Sequence, residues 1–339
     1  MSTANRIGRR LEEVPFLDRS DVSLLLVLPG LFLFSAFMLF PIVYLVGISF
    51  TNAEPSNLFA GEGAFSVLTF GEAEFVGLTN YLNVLFDGTW SLVLFGETWL
   101  TLPINGQFWN SFGITWLFVA TSVLLKLVVS ISIALVVTGK RVRGKRVMRS
   151  LIIAPMGLPA IFTITVWRGI FSSAEFGLAN QLLTSVGFSS VAWLSQRWMA
   201  FLAYNVTEAW LAYPFMVIIT VSALQDVPQE LHEAAMVDGA GFVSRFFHVT
   251  LPSIKRPVLF ATILTSAASF QQFLIPYVFN QGGPARQNEL IVVYGYKEAF
   301  SFFQYGEGAA ISIIAVLFIG AFMWLNVKRG RLADGVDEA

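Results

Sequence analysis

The stretch EAAMVDGAGFVSRFFHVTLP, residues 233–252, sits between two apolar runs, roughly 200–224 and 257–279, each long enough to cross a bilayer. Its local signals are those of two short helices joined by a turn. Asp226 is placed to cap the first helix, with Gln229 three residues on as the reciprocal partner. Pro228 suits a first turn, and residues 230–236 are good helix formers. Gly239 and Gly241 supply a left-handed turn. A second helix is expected over 244–249, stopped by Pro252. The apolar residues Leu231, Ala234, Ala235, Val237, Phe242, Phe246, Phe247, Val249 and Leu251 are too many for a solvated loop. They either pack beneath a bundle or form a partner surface. Few basic residues share one side, which argues against a DNA-reading helix–turn–helix.

The surrounding chain is a membrane chain. Its 339 residues are 55% hydrophobic, 15% aromatic and 13% charged, with mean hydropathy +0.68. A soluble domain carries about 25% charged residues. Net charge is −1, which points to no nucleic-acid partner. There is no cysteine, so disulfides, thiolate chemistry and Cys-based metal sites are excluded. The only histidines are His232 and His248, in and beside the opening stretch, and no metal site is expected.

Six stretches reach the length of a span: about 22–50, 112–138, 151–171, 200–224, 257–279 and 309–327. The first is too long for a signal peptide and lacks a small-residue cleavage site, so it is expected to be retained. Residues 81–102 are fairly apolar but are broken by Asp87, Gly88, Gly96 and Glu97, and are expected outside the membrane or at its interface. Short loops rich in Lys and Arg stay in the cytoplasm. Arg6, Arg9, Arg10 and Arg19 precede the first span; Lys140, Arg141, Arg143, Lys145, Arg146 and Arg149 follow the second. Arg245, Lys255 and Arg256 flank the opening stretch, and Lys328, Arg329 and Arg331 follow the last span. Residues 51–110 hold no Lys or Arg, but Glu54, Glu62, Glu72, Glu74, Asp87 and Glu97. The alternation predicts a multi-pass plasma-membrane protein with both termini cytoplasmic: a segment 1–21, a transmembrane domain 22–327 with an outer insertion at 51–110 and a cytoplasmic loop at 225–256, and a tail 328–339.

Glu233-Ala234-Ala235, then Gly239 after three residues, Val249 after nine more, and Leu251-Pro252 resemble the EAA signature of permease subunits of binding-protein-dependent ABC importers. Valine stands where isoleucine is more usual. The segments 75–81, 108–111, 149–183 and 270–310 are similar to the sugar-transporting branch, first-subunit type, whereas the middle of the insertion matches nothing in it. The resemblance implies an all-α type I importer permease with six transmembrane helices. It is not an enzyme and needs no cofactor. It implies a second permease subunit, two cytoplasmic ABC ATPases and an extracytoplasmic substrate-binding protein, with a carbohydrate or related polyol as cargo. Glu233, Ala234, Ala235, Asp238, Gly239, Val249, Leu251 and Pro252 would form the coupling element that docks on the ATPase. The chain has no G-x-x-x-x-G-K-[ST], so ATP hydrolysis belongs to another chain.

Polar residues inside spans mark the candidate path. Lys126 lies near the middle of the second span, where a lysine costs about 3 kcal/mol on insertion scales. It pairs with an acid or faces a wet crevice in a structural role, or it lines the path or latches a gate. Glu208 is a candidate partner, although counting residues places it nearer the outer face. Tyr204, Asn205 and Glu208 share one side of the fourth span; Gln271 and Gln272 lie in the fifth. They suit a sugar's hydroxyls, or serve as helix–helix contacts. Pro155, Pro159, Pro214 and Pro276 are candidate hinges or static kinks. The rival readings are an ion-gradient-driven secondary transporter and a channel or scaffold subunit that does not pump. Against the first, the spans hold a single carboxylate candidate and show no half-repeat.

Overall fold

A computed structural model describes residues 19–60, 66–94, 97–139, 142–174 and 176–329. Arg6, Arg9, Arg10, Glu62, Lys140, Arg141, Arg331 and most of the tail lie outside the described residues. The first apolar run forms α1 (Arg19–Phe34) and α2 (Phe40–Ile48), joined by a wide turn at Ser35–Leu39. Its aliphatic and aromatic side chains from Leu26 to Val43 are almost all exposed, a surface suited to lipid or to another chain.

The insertion is ordered where described. α3 (Pro55–Leu58) starts in a reciprocal capping box between Glu54 and Asn57. α4 (Thr79–Phe86) follows, then an antiparallel hairpin of β1 (Trp90–Leu94) and β2 (Glu97–Leu102). The run 81–102 is thus not a span, as its interruptions indicated. Asn105 caps α5 (Gly106–Thr138), accepting from the Gln107 and Phe108 N–H groups at 3.1 Å each. Thirty-three residues make α5 about 50 Å long.

The expected third span is broken. α6 (Lys145–Ile153) and a tight turn at Ala154–Gly157 meet α7 (Ala160–Ile170) at 98°. Pro159 explains the bend: the residue before a proline is pushed out of the helical region, and Leu158 sits at φ −94°, ψ 137°. After α8 (Leu178–Ser185) comes α9 (Arg197–Gln225), 29 residues with Pro214 inside.

The loop after α9 is two helices, though not with the expected limits. α10 (Gln229–Val237) begins at Pro228 with no side-chain cap, while Asp226 ends α9 instead. The proline again explains it, since it excludes helix just ahead of itself. Gly239 takes the left-handed conformation, φ +79°; Gly241 does not, at φ −72°, and starts α11 (Phe242–Arg245). Pro252 stops nothing. A wide turn at Phe246–Thr250 leads into α12 (Leu251–Phe270), and residues Phe242–Phe270 run as one helix. Pro252 falls in the first turn of α12, where the widened turn absorbs its missing donor. A 41° break at 271–273 separates α12 from α13 (Leu274–Asn280). Pro276 lies in the first turn of α13 and therefore breaks no helical bond. α14 (Ile291–Tyr296), a wide turn at Lys297–Ser301 and α15 (Tyr305–Arg329) complete the chain. Among the described residues four helices are long and apolar enough to cross a membrane, and up to six crossings result if each bent pair crosses once.

α5 and α9 pack closely along one another, helped by Ala200, Ala203 and Ala209. Around them Phe118, Ile164, Phe171, Tyr204, Ile275 and Phe279 form the central core. Gln107, at one end of α5, bonds to the 286–289 loop, and Thr138, at the other end, faces α10. The loop at 225–256 and the insertion therefore lie at opposite ends of the bundle.

Candidate functional site

The polar residues of α5 and α9 form rungs between two neighbouring helices. Arg197 donates to Asn110 at 2.9 Å, Thr121 to Asn205 at 2.8 Å, Lys126 to Glu208 at 2.9 Å, and Ser130 to the Tyr213 carbonyl at 3.2 Å. The doubt raised by residue counting is thus resolved: Lys126 and Glu208 pair directly. From the Thr121–Asn205 rung Lys126 is five residues on and Glu208 three, an offset of about 3 Å at 1.5 Å per residue. A long side chain on a helix leans back toward the N-terminus, and that lean closes the gap.

The pair is the centre of a buried network. The Lys126 and Glu208 side chains are 0% and 6% exposed. Lys126 also donates to Ser269 Oγ at 2.6 Å. Ser269 has one proton to share between Glu208 Oε1, at 3.1 Å, and the Thr265 carbonyl, at 2.9 Å. Gln272 donates to Glu208 Oε2 at 2.6 Å, and its own carbonyl faces the Ile275 N–H. One positive and one negative charge cancel, and Gln272 ties them to the break between α12 and α13. A lone charge here would be costly; a paired and bonded one is tolerated.

Of the expected path residues, Tyr204, Asn205 and Glu208 are buried and already bonded: the Tyr204 hydroxyl to Asn280, the Asn205 amide to the Phe201 carbonyl and Thr121. Gln272 is half-buried, and Gln271 is exposed at the break. Ser269, Thr121 and Asn280, all missed in the sequence, complete these contacts. Their signal, a small polar side chain in an apolar helix, is too common to single them out.

At the far end of the bundle, α10 and α11 stand off from it over a cavity of about 680 Å³, lined among others by Thr138, Leu224, His232, Glu233, Phe242 and Arg245. Glu233 accepts from Gln229 one turn earlier. Ala234, Asp238, Gly239 and Pro252 are exposed, and Ala235, Val249 and Leu251 are half-buried. Val237 is 89% exposed, beside exposed Leu231, Met236, Phe242, Val243 and Phe247. Of the two readings of the apolar residues in this loop, packing beneath the bundle fails for Leu231, Val237, Phe242 and Phe247.

The opposite end carries an ion-pair knot that sequence reading missed. Fully buried Glu289 holds Arg286 at 2.7 Å and Lys297 at 2.7 Å, and Arg286 also reaches Glu298 at 2.9 Å. Gln107 of α5 donates to Glu289 at 3.0 Å. Burial disfavours the Arg286 cation, but its bonds to Glu298 and Glu289 outweigh that and raise its pKa. Burial pushes the Tyr294 phenol up to about 12.

A helical bundle with broken spans, an exposed apolar elbow at one end and a buried polar seam is the architecture of a multi-pass membrane protein. Residues 126–327 match the family described as "Binding-protein-dependent transport system inner membrane component", and the chain belongs to that family. It is accordingly a transport subunit and not an enzyme. Family membership also sets aside the secondary-transporter and scaffold readings. The chain is 32% identical over 260 residues to a trehalose/maltose transport system permease protein of Thermococcus litoralis, covering 77% of this chain and 81% of that one. It is 30% identical to a sulfoquinovosyl glycerol transport system permease protein of Agrobacterium fabrum, covering 88% and 87%. A maltose/maltodextrin permease protein of Vibrio cholerae is 31% identical over 71% of this chain, which spans about half that relative's length (48%). In fold, the chain is similar to a chain of a bacterial ABC transporter that imports alginate, with TM-score 0.69, 15% identity and coverage of 95% and 98%.

Proposed function

We propose that this chain forms half of the translocation path of an ATP-driven importer for a carbohydrate or related polyol, and that its elbow at 229–252 couples the path to a separate ATPase. The assembly holds a second permease of the same kind, two cytoplasmic ATPase subunits and an extracytoplasmic binding protein. Both termini and the elbow face the cytoplasm, as the Lys/Arg alternation requires.

One observation carries the coupling role: the exposed face of the elbow leads without a break into the helix Phe242–Phe270, whose far end is the break at 271–273, bonded to Glu208. Force applied to α10 and α11 by a closing ATPase pair therefore arrives at the polar seam as a tilt of one rigid rod. The cavity under the elbow leaves room for that motion. Lys126–Glu208 serves as the latch between α5 and α9 against which the rod works, and Tyr204, Asn205, Gln271 and Gln272 border the path. The cargo class is supported by relatives named for trehalose/maltose, maltose/maltodextrin and sulfoquinovosyl glycerol, all carbohydrates or glycosides.

The chain lacks cysteine, so Met236→Cys is a unique probe on an exposed elbow position. In oriented vesicles holding the whole importer, the thiol reacts with a membrane-impermeant maleimide only from the cytoplasmic side, and the ATPase shields it. Labelling from outside alone would remove the coupling role.

A further inference from the structure

We propose that the exposed and half-buried aromatic rings Phe273, Tyr277, Tyr296, Phe300, Tyr305 and Phe59 form a carbohydrate-binding strip on which sugar rings stack between the outer insertion and the break in span five. The proposal rests on the carbohydrate reading above and extends it to a site outside the polar seam. The rings touch in series. Centroid separations are 4.8 Å for Phe273–Tyr277, 4.9 Å for Phe273–Tyr296 and 5.1 Å for Tyr296–Phe300. They continue at 6.1 Å for Phe300–Tyr305 and 6.3 Å for Phe59–Tyr305. Phe59 and Phe300 are 57% and 59% exposed.

Three features separate this strip from a lipid-facing surface. Its inner end carries the exposed amide of Gln271, and its outer end the exposed Gln304. The exposed middle of α15, by contrast, shows Val316, Leu317 and Phe318 with no amide among them. Three of the six rings bear hydroxyls, which suit a ligand with one apolar face and a polar edge.

The mounting is rigid. Between Tyr296 and Phe300, Lys297 and Glu298 turn inward to the ion-pair knot, bound to Glu289 at 2.7 Å and Arg286 at 2.9 Å. The turn closes through Phe302 N–H to the Lys297 carbonyl and Gln304 N–H to the Glu298 carbonyl, both at 2.9 Å. Between them Phe303 sits at φ 62°, a backbone conformation unfavourable to a bulky residue and retained on an exposed turn. The ion pairs thus tie down the turn that carries the exposed Tyr296 and Phe300. Sugar rings match them: each offers a flat C–H face to the ring and hydroxyls to the amide rim.

The test is uptake of radiolabelled maltose and trehalose at limiting concentration by the complete importer in proteoliposomes, comparing wild type with Phe300→Leu and Phe300→Tyr. Leucine keeps apolar area and loses the π face. The expected result is a fall of about three- to tenfold for Phe300→Leu, with recovery in Phe300→Tyr and unchanged yield of the assembled complex. Wild-type uptake by Phe300→Leu overturns the strip, and so does failure of tyrosine to restore uptake. Loss of assembled complex in Phe300→Leu also overturns it, by showing a subunit contact instead. No uptake by wild type of any of the sugars for which the relatives are named, maltose, maltodextrin, trehalose and sulfoquinovosyl glycerol, defeats the carbohydrate reading itself, a result distinct from the others.

Discussion

Removing one partner of the Lys126–Glu208 pair is the sharpest test of the polar seam. Lys126→Met keeps most of the side-chain volume and deletes the ammonium. Glu208, 6% exposed, then keeps only the Ser269 and Gln272 donors around a full negative charge. Stranding one member of a buried pair costs about 3–5 kcal/mol. Glu208→Gln strands Lys126 in the same way, with Ser269 as its remaining bonded partner. The double variant strands neither charge, and the amide introduced at position 208 still bonds to Gln272, so its cost falls well below the sum of the singles. A double-mutant cycle isolates this, because the two side chains touch. Steric-trapping measurements of stability in bicelles on the four proteins should return a coupling of about 2 kcal/mol or more, given the roughly 0.5–3 kcal/mol usual for contacting residues and the burial of this pair. Additive effects, or single variants within about 1 kcal/mol of wild type, would refute the reasoning that a desolvated ion pair locks α5 to α9.

Gly239→Val strains a left-handed residue at φ +79° by about 1–2 kcal/mol without a steric clash, so the protein inserts and assembles but hydrolyses ATP without proportionate uptake; normal stoichiometry of ATP to substrate would count against the elbow. Gln272→Ala deprives Glu208 Oε2 of its 2.6 Å donor and frees the break in span five, shifting the substrate dependence of uptake more than the amount of complex; unchanged uptake at limiting substrate would exclude it from the path. Gly306→Ala drives a methyl into the Thr51 carbonyl and Asn80, whose amide holds the Ser49 and Thr51 carbonyls at 2.9 and 2.7 Å, at a cost of about 1–3 kcal/mol; limited proteolysis should then cut residues 52–79 faster, and an unchanged rate would show that α15 does not anchor the insertion.

Much of this protein was legible from local pattern. Hydrophobic run length marked the spans, and Lys/Arg asymmetry predicts their sidedness, because both depend on transfer to lipid and on charge, which are summed along the chain. Gly239 was legible for the same kind of reason: a left-handed turn is a local demand that glycine meets. The limits of the elbow helices were not. Asp226, Gly241 and Pro252 all carry the right local chemistry, but Pro228 moved the first start and a wide turn at Phe246–Thr250 carried the second helix through Pro252 into span five. Several adjacent signals compete there, and no one of them read alone gives the limit. Depth and pairing lay further out of reach. Lys126 and Glu208 are 82 residues apart, and their contact depends on the stagger of α5 against α9 and on the backward lean of a lysine. Arg286, Glu289, Lys297 and Glu298 read as ordinary loop charges until tertiary packing takes Glu289 out of water among them. Partition between water and lipid is a property of each segment alone; the register of one helix on another is a property of the pair, and so the three-dimensional packing alone decided which polar side chains meet.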